Sequence, residues 1–283
     1  MKNRKTAMVV VTLLCSVAPP VLAGRPESSH AGKPLSHWIK ELKKGDAARA
    51  NEAIRALAAV GAPAVPDIMR LLADKKYSVR TRAAGALFQL GPAASGAAPS
   101  LIAMLGDPSS GEPRYQGGGL TLTQGEPEAK ALRVLVITTL ARLGDGAAPA
   151  LVVAVKHSDQ LVRLGAVQAL EIAGSAPEHA TEALLDALKD EHPELRASAG
   201  RVLARKGPSI VAPLVALLAG GDVNGRRGAM VALGELGAAA SEAVPALLAA
   251  LRDRDQNVRM AAPNRWGGWP RWLPQASRHS RKG

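Results

Sequence analysis

Asp159-Gln-Leu-Val-Arg-Leu-Gly-Ala-Val-Gln-Ala-Leu-Glu-Ile-Ala-Gly174 holds the rule by which this chain is built. Arg163 is followed at +7 by Leu170 and at +11 by Gly174. The same spacing recurs as Arg80, Leu87, Gly91; Arg133, Leu140, Gly144; Arg196, Leu203, Gly207; and Arg226, Leu233, Gly237. A further copy, Ala50, Leu57, Gly61, lacks only the Arg. The arginines lie 53, 30, 33 and 30 residues apart, and Arg259 follows 33 beyond Arg226. A fixed period of this size marks a repeat architecture, in which units too small to bury their apolar faces alone stack into a continuous core. The spans 133 to 196 and 196 to 259 are both 63 residues, which points to duplication of a two-repeat unit, with an insertion at 106–127 between the second and third repeats.

Within a repeat, the stretch from the Arg to the residue before the Gly places Ala, Leu and Val at helical spacing. The Gly then supplies the left-handed residue that closes a helix. This is helix A. A second apolar stretch opens with Pro at Pro66, Pro99, Pro149, Pro213 and Pro245, where the missing N–H has no partner in a first helical turn. This is helix B. Pro99-Ser-Leu-Ile-Ala-Met-Leu-Gly-Asp107, Glu182-Ala-Leu-Leu-Asp-Ala-Leu-Lys-Asp190 and Pro245-Ala-Leu-Leu-Ala-Ala-Leu-Arg-Asp253 align without a gap, each starting 8 residues after its glycine.

The pattern Asp-x-x-Val-Arg, Ala-x-x-Ala-Leu, Gly, Pro-x-Leu, seen from Asp159 to Gly174 and beginning again at Asp255-Gln-Asn-Val-Arg259, resembles HEAT-like repeats of the short subtype found in phycobilisome-lyase proteins. The resemblance covers residues 48–258. It implies an all-α, right-handed α-solenoid of the armadillo/HEAT type with about six helix pairs. It implies a scaffold for proteins or peptides and carries no catalytic residue onto this chain.

Composition agrees with a stacked aliphatic core: of 283 residues, 47% are hydrophobic and only 2% aromatic. The net charge of +12 is concentrated at the ends. Residues 24–258 carry 27 basic against 24 acidic side chains, so the array is close to neutral and a nucleic-acid partner is not expected. Lys2, Arg4 and Lys5 precede an apolar run from Ala7 to Ala18, and Val21-Leu22-Ala23 offers a cleavage site. Residues 1–23 therefore read as a signal peptide, giving an exported protein, periplasmic or secreted, with no transmembrane span in the mature chain. Cys15, the one cysteine, would be removed with it. A lipid anchor at Cys15 is disfavoured by the bulky Leu14 before it.

Three segments depart from the repeat. Residues 24–47 form an N-terminal segment with a capping helix, whose Leu35, Trp38, Ile39 and Leu42 share one face. The insertion contains Gly117-Gly-Gly119 and Leu120-Thr-Leu-Thr123, which read as a short hairpin or ordered loop. Its Arg114, Tyr115, Gln116 and Leu120 are the candidate binding loop, a spacer being the alternative. Residues 259–283 begin a seventh repeat and break off into a basic tail with Trp266, Trp269 and Trp272. That tail reads either as a segment for membrane surfaces or polyanions, or as a degenerate end with no selected role.

Chemistry is sparse. Six scattered histidines include no pair four residues apart and no His-Glu-x-x-His, so no metal or other cofactor is expected, and no nucleophile motif supports an enzyme. Asp190, Glu191 and Glu194 around His192 read as a solvated turn. The column Arg80, Arg133, Arg163, Arg196, Arg226, Arg259 reads as a structural ladder, because an Asp lies four residues earlier at Asp159, Asp222 and Asp255. The rival reading is a cationic stripe for a polyanion. The expected function is a non-catalytic exported scaffold for a protein or peptide. Its rivals are a polyanion or envelope-surface binder and a lyase-type accessory protein.

Overall fold

The computed structural model describes residues 29–107, 114–116, 119–121, 127–174 and 177–264, with side chains for 29–107, 131–174 and 177–260. The signal-peptide segment 1–23 and the tail from residue 265 onward lie outside the described residues. After α1 (Leu35–Lys44), the A helices are α2 (Ala47–Val60), α4 (Tyr77–Leu90), α6 (Pro127–Arg142), α8 (Gln160–Ala173), α10 (Pro193–Ala204), α12 (Val223–Leu236) and α14 (Gln256–Asn264). The B helices are α3 (Val65–Leu71), α5 (Ala98–Leu105), α7 (Ala148–Val155), α9 (Thr181–Ala187), α11 (Val211–Gly220) and α13 (Val244–Ala250). The described residues thus form six helix pairs and the A helix of a seventh, an all-α solenoid.

Local chemistry places the helix ends. In four repeats an opening Asp turns its carboxylate onto unsatisfied N–H groups of the first turn. Asp46 accepts from Arg49 N at 2.9 Å, Asp159 from Leu161 N at 2.7 Å, Asp222 from Gly225 N at 2.6 Å and Asp255 from Val258 N at 3.0 Å. At the other end, Gly174 adopts φ 73°, ψ 1° and Gly237 φ 55°, ψ −125°. The second conformation is open essentially to glycine alone. Between helices A and B the chain makes 3₁₀ turns, as at Gly91–Ala97, Gly144–Ala147, Gly207–Ile210 and Gly237–Ala243. Periodicity does not announce these turns, whose tighter winding aims helix B back along helix A.

Stacking supplies the core. Each A helix packs on the next, α2 on α4 through to α12 on α14, and B helices line the other side. Leu57, Leu87, Leu140, Leu170, Leu203 and Leu233 are all at most 1% exposed, one buried Leu per layer at the predicted position. Glycines within helices allow the closest approaches. A Cβ at Gly200 would stand 3.1 Å from Val231 Cγ1, and one at Gly228 would collide with the Leu188 carbonyl oxygen. The apolar run Val223–Ala250 is long enough to cross a bilayer. It comprises α12, a 3₁₀ turn and α13, and its buried side chains are layers of the stack, with Arg226 among them.

The first layer is closed by α1. A two-residue turn at Ala31-Gly32, both with positive φ, joins β1 (Ser29–His30) to β2 (Lys33–Pro34). Trp38 is 2% exposed beneath it, donates to the His30 carbonyl at 3.3 Å and meets the edge of His37. Arg82 of α4 reaches back to the carbonyls of Leu42 and Gly45 at 3.3 and 3.0 Å, tying α1 to the array. The insertion contains an antiparallel hairpin, β3 (Arg114–Gln116) with β4 (Gly119–Thr121), in which Tyr115 is paired with Leu120 and Arg114 with Thr121.

Candidate functional site

The arginine column lies along one edge of the stack. Arg80, Arg133, Arg196 and Arg226 are 6–8% exposed, and the Arg163 side chain is 17% exposed. Where an Asp stands four residues earlier, at Asp159, Asp222 and Asp255, it is occupied as the helix cap. The guanidinium reaches elsewhere: Arg80 to the carbonyl of Asp74, Arg196 to those of Asp190 and Glu191, and Arg259 to those of Asp253 and Arg254, all at 2.7–3.0 Å. Two of them also take the Asp that ends the following helix B. Arg163 Nε lies 2.8 Å from Asp190, and Arg226 grips Asp253 with Nε at 2.8 Å and Nη2 at 3.1 Å. The reason is reach: an N-cap carboxylate must fold back on its own first turn, whereas a long Arg side chain spans to the neighbouring turn. Arg133 bridges two repeats, donating to Leu105 O at 2.8 Å and Leu161 O at 2.6 Å. Burial lowers its pKa, opposed by the charges of Asp159 and Glu194. Donors occupied in this way are not presented to a polyanion.

A cap Asp is nevertheless an ion-pair partner of its own first turn at Asp46, with Arg49 at 3.8 Å, and of the preceding repeat at Asp255. Arg227 holds Asp255 through Nε at 2.9 Å and Nη2 at 2.6 Å. These bonds, with help from the Val258 N–H and against a smaller opposing effect of burial, lower the Asp255 pKa from 3.8 to about 2. A carboxylate whose folded pKa is depressed stabilises the fold fully above its ordinary pKa and loses that contribution as pH falls through the folded one. Urea midpoints for the wild type and Asp255→Asn should therefore differ at pH 5 and converge towards pH 2, with a gap of about 1 kcal/mol or less because the pair is partly solvated. A gap unchanged across that range would contradict the assignment.

The remaining sequence-derived positions separate. Asp190 accepts from Arg163 and from the His192 N–H at 2.9 Å, so the acidic turn around His192 holds the ladder in place. His192 is 5% exposed, and burial lowers its pKa, keeping the ring neutral so that Nδ1 accepts from Leu195 N at 3.4 Å. Arg114, Tyr115, Gln116 and Leu120 are brought together on the two paired strands of the hairpin. Among the described residues, no three His, Cys, Asp or Glu side chains converge as metal ligands would.

A feature not reached from sequence lies across the A helices. Val134, Ile137 and Thr138 of α6, Gln168 and Ile172 of α8, and Arg201 of α10 line a groove of about 330 Å³. Val134 is 61% exposed and Ile172 57%. Beneath them, Arg201 grips Glu171 with Nε at 2.5 Å and Nη2 at 3.0 Å, and Nη2 also meets Ser198 Oγ at 3.0 Å. Burial raises the Glu171 pKa, but the hydrogen bonds from Arg201 and Ser198 and the charge of Arg205 outweigh it and leave the group ionised below its usual range. The outward Val and Ile are the sequence signal, yet α8 is apolar on so much of its circumference that Ile172 does not stand out. A second recess, of about 490 Å³ beside α11 and α13, is lined by Leu218, by Ala and Gly, and by Arg254 around the internally satisfied Arg226–Asp253 pair. Its one large apolar side chain, Leu218, is buried in the stack, and the Arg226–Asp253 pair offers no open charge.

Comparison with known proteins places the architecture. HEAT repeats match residues 35–117, 122–204 and 181–264. Among solved structures, a Kap121p mutant is 16% identical with a TM-score of 0.50, covering 81% of this chain and 28% of that one. The complex of CpcE and CpcF of phycocyanin lyase from Nostoc sp. PCC7120 is 22% identical, covering 88% of this chain and 99% of that one, with a TM-score of 0.37. The archaeal HEAT-like repeats protein from Thermococcus onnurineus NA1 is 11% identical, covering 84% and 97%, with a TM-score of 0.44. The likeness to Kap121p concerns the fold alone. No curated protein matches the chain.

Proposed function

This chain belongs to the HEAT repeat family, and from that premise we propose that it is a non-catalytic scaffold, exported after cleavage near Ala23, that binds a protein or peptide on its helix stack. The supporting observation is the division of labour among its side chains. Buried arginines and the carboxylates beside them hold repeat to repeat, whereas Val134 and Ile172 stand exposed over a groove that the stack does not need for closure. Large exposed apolar side chains gathered in one groove mark interaction sites. The hairpin carrying Arg114, Tyr115, Gln116 and Leu120 is a second surface the stack does not require.

The test is affinity capture with the tagged full chain from an extract of its own cell envelope, together with mass spectrometry of the mature N-terminus. The expected outcome is an N-terminus at Gly24 and one enriched protein. A protein with residues 107–127 replaced by a short linker should retain that partner if the helices carry recognition and lose it if the hairpin does. An N-terminus at Met1 would remove export, and no enrichment over a control array would remove the scaffold.

A further inference from the structure

The groove across α6, α8 and α10 is asymmetric in charge. Its one internal carboxylate, Glu171, has both oxygens held by Arg201, so it offers little to an incoming cation. Arg205, the residue that follows α10 as its C-cap, lays its Nη1 on the Glu171 carbonyl at 2.6 Å, immediately beside Ile172, and is exposed. It has no carboxylate partner within the ion-pair distances found among the described residues. Arg142, at the end of α6, is likewise exposed and stacks over the Phe88 ring at 4.8 Å rather than on an anion. Apolar side chains and cations thus alternate along this edge: Phe88 under Arg142, then Ile172 beside Arg205. At the opposite end of the groove Glu194 accepts from Gln168 at 3.0 Å, and beyond α10 the charge of Glu235 on α12 also acts on Arg201, so the cationic stretch is bounded by an acid on either side.

We infer that this groove docks an acidic segment of a partner protein, seating aliphatic side chains between Val134 and Ile172 and placing carboxylates on Arg205 and Arg142. Aliphatic contact supplies the burial, and guanidinium–carboxylate pairing sets direction and selects against basic segments. The chain's own arginine-rich tail carries the wrong charge for this edge. The inference rests on the scaffold reading and deepens it by naming the partner's chemistry.

The experiment uses the full chain and three fluorescein-labelled 12-residue peptides: Leu and Glu in alternation, Leu and Lys in alternation, and Ser and Glu in alternation. Fluorescence polarisation at physiological ionic strength should show binding of the Leu/Glu peptide at least tenfold tighter than of either other peptide. Ile172→Glu should weaken it at least tenfold, and Arg205→Glu should weaken it while improving the Leu/Lys peptide. Both positions are exposed, so unchanged thermal unfolding serves as the folding control. Equal binding of all three peptides, preference for Leu/Lys, no binding of Leu/Glu, or wild-type affinity in both variants would overturn the proposal. Should envelope capture still return a partner equally with wild type and Ile172→Glu, the scaffold reading stands and the groove alone falls.

Discussion

Gly228→Ala is expected to destabilise the array by about 3 kcal/mol, at the upper end of overpacking effects. Helix propensity alone argues the other way, since Ala in a helix interior is favoured over Gly by about 1 kcal/mol. The tertiary contact wins because Gly228 of α12 lies against the end of α9. An added Cβ there would collide with the Leu188 carbonyl oxygen and stand 2.8 Å from Leu188 Cβ. A backbone oxygen cannot rotate aside as a side chain would, so two repeats must separate. The matched control is Gly85→Ala in α4, whose Cβ would meet only Ile54 Cδ1 at 3.9 Å, an ordinary contact. That variant should gain up to about 1 kcal/mol. Urea unfolding followed by circular dichroism at 222 nm reads both. Gly228→Ala at or above wild-type stability would show that α9 and α12 are not packed as described.

Arg133→Met is expected to cost about 3 kcal/mol, the combined loss of charge-assisted hydrogen bonds and the exposure of carbonyls left without donors. Arg133 is 8% exposed and holds the last residue of α5, Leu105, and the first turn of α8, at Leu161, across three successive repeats. Met fills much of the volume but supplies no donor. Because contacts in such a stack run only between nearby layers, a weakened layer lowers cooperativity as well as total stability. The expected signature is a broadened transition with a reduced m-value, and Arg133→Lys should recover only part of the loss because one ammonium replaces a fork. A sharp transition with an unchanged midpoint for Arg133→Met would remove the bridging role. The same change at Arg259, whose side chain reaches only the carbonyls of its own turn, should cost much less.

Much of this fold is local and therefore readable. Arg, Leu and Gly at +0, +7 and +11 give a helix with one buried column and a glycine stop, and those six leucines are the ones found at the centre of the stack. Asp159, Asp222 and Asp255 read as residues near helix starts, and each caps one. Trp38 on the same face as Leu35 and Leu42 likewise follows from helical spacing. Such statements depend only on rise and turn within about 15 residues, which chain geometry sets.

The groove and the arginine contacts depend on quantities that no single repeat contains. Whether Arg226 meets Asp222 or Asp253, four residues back or 27 ahead, is decided by the distance between successive layers and their rotation. Val134, Ile172 and Arg205 sit in different repeats; Ile172 and Arg205 hold the same place, nine residues after Arg163 and Arg196, but Val134 directly follows Arg133, so the period does not single out the three together. They become neighbours only when α6, α8 and α10 lie side by side. Periodicity thus determines that the helices stack and which faces they bury. The outward surface comes from residues that stacking leaves unconstrained, and its pattern exists only once the layers are in place.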